Sequence, residues 1–86
     1  MSISSAAQLG TAIREHRSRA GMTQVQLADR AGISSRTLIE IERGHPNGEI
    51  GRVLSVLRAL DLTITLAPKP PADDADDLLD LAGRDL

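Results

Sequence analysis

The sequence contains no phenylalanine, tyrosine or tryptophan, and no cysteine. Each absence excludes something. Without aromatic rings, the bases of a single-stranded nucleic acid have no side chain to stack on, and the usual route to that ligand is closed. Without thiols there are no disulfides, no Cys-type zinc fingers and no thiol catalysis, which suits a reducing cytoplasm. No apolar run approaches the length of a membrane span, and no secretory signal is visible at the N-terminus. A cytoplasmic location is expected on these grounds. The two histidines, His16 and His45, have no matching cluster of carboxylates, so neither a metal site nor a catalytic dyad is expected. There is no nucleophile–base pair and no cofactor motif, and an enzyme is the least favoured class.

What remains is an aliphatic chain of 86 residues, with room for one small domain and an appendage. Twelve leucines, seven isoleucines and three valines must supply its core. The formal net charge of −2 hides an uneven distribution. Residues 1–70 carry nine basic and six acidic side chains, a balance of +3, whereas residues 71–86 carry one basic and six acidic, a balance of −5. A mildly basic body is joined to a strongly acidic tail.

Helix signals punctuate the body. Ser5 and Gln8 have capping-box spacing ahead of a first helix whose apolar side includes Leu9, Ile13 and Ala20, and Gly21 ends it. Thr23 and Gln26 repeat the box at the start of a short second helix, with Met22 and Leu27 placed as a hydrophobic staple, and Gly32 ends that helix. Ser34 caps a third helix, with Ile33 and Leu38 as its staple, Leu38 and Ile41 facing inward and Gly44 at its end. After the turn cluster His45-Pro46-Asn47-Gly48, a fourth helix is expected over about Glu49–Leu60, with Ile50, Val53, Leu54, Leu57 and Leu60 as its apolar stripe. Leu62-Thr63-Ile64-Thr65-Leu66 then alternates apolar and threonine residues, a strand pattern. A single strand cannot satisfy its own backbone groups, and the nearest available partner is the same strand in a second copy. The expected organisation is a mostly α, four- to five-helix domain over residues 5–61, a dimerisation strand over 62–67, and a proline-rich linker with a flexible acidic tail over 68–86.

Two short helices joined by Ala31-Gly32-Ile33-Ser34 form a helix-turn-helix at Thr23–Gly44, which presents the second helix to a major groove. Such a segment needs polar side chains aimed at base edges, helix N-termini near phosphates and apolar residues that hold the crossing angle. Thr23-Gln24-Val25-Gln26-Leu27-Ala28, then Ala31-Gly32-Ile33-Ser34 and Ile41-Glu42-Arg43-Gly44, resembles the phage-repressor (Xre/Cro) class over about Leu9–Leu60. Leu60–Leu66 further resembles the end of the domain in HipB-type antitoxins. In that family this segment pairs across a dimer, the protein represses its own operon, and it binds a HipA-like kinase toxin.

The resemblance implies site residues. Ser35, Arg36, Thr37 and Glu40 fall at the base-reading face of the third helix. Gln24 falls at a position that meets phosphate. From the residues themselves, Thr23 suits the same role at a helix N-terminus, Ser34 either touches phosphate or only caps, and Arg43, Arg14 and Arg52 are either backbone contacts or a solvated charged face. Arg17 and Glu42 are implied as a partly buried ion pair. Glu40 departs from the neutral polar residue of many relatives. It either accepts from a cytosine amino group or holds Arg36 four residues back. Arg36 itself either donates two bonds to guanine or only pairs with Glu40.

The tail has three open readings: a solubilising extension, a segment that folds onto a toxin through Leu78, Leu79 and Leu81, or an acidic competitor for the DNA face. The leading expectation is a homodimeric antitoxin and autorepressor on a palindromic operator, with a HipA-like toxin as partner. The alternatives are a stand-alone Xre-type repressor, or a protein-interaction module that has lost DNA binding.

Overall fold

A computed structural model describes residues 2–69. Its elements are four helices: α1 (Ala6–Arg19), α2 (Gln24–Ala31), α3 (Ser35–Glu42) and α4 (Ile50–Ala59). The starts of the first three are written in side-chain caps. Thr23 and Gln26 form a full capping box: Thr23 Oγ1 accepts from the Gln26 amide at 3.1 Å, and Gln26 Oε1 accepts from the Thr23 amide at 2.9 Å. Ser34 Oγ accepts from the Thr37 amide at 3.1 Å and donates to the Thr37 hydroxyl at 2.9 Å. At α1 the box is only half closed. Ser5 Oγ accepts from the Gln8 amide, but the Gln8 side chain reaches one residue further back and accepts from the Ser4 amide at 2.6 Å. Glu49 precedes α4 without a capping bond and pairs instead with Arg52 at 3.3 Å.

All four helices end in the same way. A residue at positive φ follows the helix, and the next amide reaches back to a carbonyl of the last turn: Met22 to Arg17, Ile33 to Ala28, His45 to Glu40 and Leu62 to Leu57. Three of the four positive-φ positions are glycine, as the sequence suggested, and the fourth is Asp61 at φ 58°. Aspartate is one of the few side-chain-bearing residues that visits this region. Met22, Ile33 and Leu62 then fold back against the core, the apolar latch that accompanies such ends.

The core is Ile13, Leu27, Ala28, Leu38, Ile41, Val53, Val56 and Leu57. α2 packs on both α3 and α4, and α1 packs on α3. Of the residues placed as staples, Leu27 and Leu38 are fully buried, and Met22 and Ile33 pack against the same core. Gly10 brings α1 so close to the end of α3 that an added Cβ would stand 2.5 Å from the Ile41 carbonyl oxygen.

The fourth helix departs from its expected stripe. Val56, outside that stripe, is fully buried, while Ile50 and Leu54 within it are exposed. The helix has more apolar surface than one layer of neighbours can cover. Among the described residues there is no strand. Leu62 serves as the latch of the α4 terminator, and Thr63, Ile64, Thr65 and Leu66 follow it on the exposed side. Residues 70–86, with Leu78, Leu79 and Leu81, lie outside the described residues. None of the helices in the described part is long and apolar enough to cross a membrane.

Candidate nucleic-acid interface

The three-residue link Gly32-Ile33-Ser34 joins α2 to α3. Its left-handed glycine turns the chain, and Ile33 pins the turn to the core. Burial of Leu38 and Ile41 on one side of α3 forces Arg36 and Glu40 outward. Arg36 is the most open of these: its side chain is 91% exposed, and its nearest approach to Glu40 is 3.7 Å. Ser35 and Thr37 are half-buried at the start of the same helix, and Ser34 is exposed beside them. The outward residues of α3 therefore form a polar strip centred on a guanidinium that is only loosely paired.

A second group lies where α1, α2 and α3 converge. Arg14, Arg17, Thr23, Gln24, Ile39, Glu42 and Arg43 line a depression of about 510 Å³. Its floor is a buried polar hub. Arg17 Nε and Nη2 donate to the two carboxylate oxygens of Glu42 at 2.7 and 3.1 Å. Arg17 Nη1 also donates to the Met22 carbonyl at 3.0 Å, tying the end of α1 to the same hub. With side-chain exposures of 13% and 3%, this pair is shielded from solvent, and its two parallel bonds fix helix orientation.

Gln24, expected to meet phosphate, also takes part in this hub. Its Nε2 donates to Glu42 Oε1 at 3.0 Å, so the amide is drawn into the hub. The physical reason is local: Glu42 already receives two bonds from Arg17 and has a lone pair left, and α2 begins directly beside it. This contact, across 18 residues of sequence, has no signature in spacing or composition. Arg14 and Arg43 are exposed on the rim, and neither has a carboxylate within 4.0 Å among the described residues. The Thr23 hydroxyl is occupied as a cap at the N-terminus of α2, whose dipole faces the same space. Arg52, by contrast, stands on α4 paired with Glu49. The depression offers two unpaired guanidinium groups and a helix N-terminus to an anion, next to the polar strip of α3.

A family model described as a helix-turn-helix domain matches residues 8–69. An uncharacterised HTH-type transcriptional regulator of Sinorhizobium fredii is 37% identical over 67 residues, covering 77% of this chain and 88% of that protein. Among solved structures, a HipB–O4 20mer complex superposes with a TM-score of 0.77 at 30% identity, over 81% of this chain and 99% of that one. A HipA–HipB–O2–O3 complex gives a TM-score of 0.76 at the same identity and coverage. The relatives are regulators rather than enzymes. The chain belongs to the helix-turn-helix domain family of transcriptional regulators, with a fold like that of HipB.

Proposed function

We infer that the chain is a sequence-specific DNA-binding antitoxin that represses its own operon and neutralises a HipA-like kinase toxin. The observation that carries this reading is the likeness to HipB, which spans 81% of the chain and includes a complex containing HipA. In this reading Arg36 contacts a guanine, with Ser35, Thr37 and Glu40 beside it on base edges. Ser34, Thr23 and Arg43 meet phosphates, and Arg14 joins them from the rim of the depression. Gln24 acts mainly through Glu42, by holding the start of α2 in place.

Repression of a palindrome requires two copies, with recognition helices about 34 Å or a multiple apart. The exposed run Thr63–Leu66 is the proposed strand of that dimer, starting from Leu62. Leu66 is 92% exposed and Ile64 46%, a cost in water that pairing with a second copy removes. The cell compartment proposed for this activity is the cytoplasm.

The test is co-expression with the product of the neighbouring gene, purification of the complex, and footprinting on the shared promoter. Co-purification together with protection of a palindromic site is the expected result. Protection without any co-purifying kinase would favour a stand-alone repressor, a reading supported by the curated relative, which is described only as a regulator. Absence of salt-dependent promoter binding would favour an interaction module instead.

A further inference from the structure

The chain has a single asparagine, Asn47, and glycine follows it. Both residues are exposed, in the irregular connection between α3 and α4. Among the described residues the Gly48 amide takes part in no hydrogen bond. The glycine is not there for the backbone. Its φ lies outside the left-handed region, and an added Cβ would meet only the His45 carbonyl oxygen, at 3.8 Å. The connection thus combines a side-chain amide, an unhindered and unengaged main-chain nitrogen next to it, and free access for water.

We propose that Asn47 is a site of spontaneous deamidation in the folded protein. The Gly48 nitrogen, on losing its proton, attacks Asn47 Cγ. The new N–Cγ bond closes a five-membered succinimide as the Cγ–Nδ2 bond breaks, and the side-chain nitrogen leaves as ammonia. Water then opens the ring at either carbonyl. One opening gives aspartate, and the other gives isoaspartate, in which the main chain runs through the side-chain carbon. The net change is asparagine plus water to an acid plus ammonia, with no redox partner. Both products add a negative charge four residues beyond Arg43, and isoaspartate also lengthens the link between α3 and α4 by one backbone atom.

The test ages the purified full-length chain in mildly alkaline buffer at body temperature, then digests it with trypsin at mildly acidic pH. Mass spectrometry of the peptide Gly44–Arg52 gives the readout. The expected result is a time-dependent gain equal to the exchange of NH₂ for OH, split into two chromatographic products. The gain should be faster at higher pH, and ammonia should be released in equal amount. Gly48→Ala, with unchanged thermal melting, should keep its amide severalfold longer. Retention of the amide in the native chain while a urea-unfolded sample loses it would overturn the proposal, since the fold would then protect the site. Equal loss from Gly48→Ala would also overturn it, since the glycine would then not govern the reaction.

Discussion

Helix α3 takes part in two arginine–glutamate pairs that differ in every physical respect except their chemistry. Glu42 holds Arg17 in two bonds, at 2.7 and 3.1 Å, with both side chains shielded from solvent. Arg36 approaches Glu40 only to 3.7 Å, with side chains 91% and 49% exposed. The buried pair joins α1 to α3 across 25 residues of sequence, and Gln24 adds α2 to the same carboxylate. The exposed pair joins α3 only to itself, and with Arg preceding Glu it has the weaker orientation for helix spacing. One arginine is consumed in holding three helices at fixed angles. The other is held so loosely that a better acceptor can take it, which is what a base-reading side chain requires.

The largest expected effect breaks the buried member. Glu42→Ala leaves Arg17 charged and unpaired inside the fold and should cost about 3–5 kcal/mol in urea or thermal unfolding. Replacing both residues with apolar ones of similar volume should recover much of that loss, and a double replacement as damaging as the single one would refute the account. Arg36→Ala should do the reverse. Stability should stay within about 0.5 kcal/mol, while affinity for the cognate site should fall by about 1–3 kcal/mol, with one base position relaxed in a binding-site selection. Equal binding by the variant would remove Arg36 from the recognition surface.

Gln24→Ala sharpens the boundary between the two groups. Loss of its bond to Glu42 should lower stability by about 1–2 kcal/mol, whereas a residue serving phosphate alone would change only binding and its salt dependence. The smallest effect concerns the exposed pair. A double-mutant cycle on Arg36 and Glu40 in the free protein should give a coupling of about 0.2–0.5 kcal/mol, fading with added salt. A coupling as large as that of the buried pair would erase the contrast.

Most of the fold was legible because its signals are local. Thr23 with Gln26 and Ser34 with Thr37 each act within one turn, so a short window of sequence contains the whole interaction. What could not be read depends on distant partners. Family likeness alone implies the pair of Arg17 with Glu42, since nothing in composition relates residues so far apart, and the tie from Gln24 to Glu42 has no signal even there. Gly10 did leave a signal, because a glycine inside a helix costs about 1 kcal/mol relative to alanine and invites a structural reason. The reason is the backbone of α3 passing against it. The excess of apolar residues on α4 was visible, but which of them lie inside depends on where α2 sits. The alternation over Leu62–Leu66 predicts a strand, but residues 62–66 form none in the single chain, because a strand needs a partner for its backbone groups.

Asp61 bears on that last segment. Its left-handed turn and the Leu62 latch mean that the exposed run emerges from a fixed socket, not from a swivel. Ordering a backbone residue costs about 1–2 kcal/mol in lost freedom, and for Asp61 and Leu62, at the root of the arm, that loss has already been absorbed in folding the domain. The helix terminator therefore fixes the root of the arm: the exposed run Thr63–Leu66 starts from a point that the fold has already set.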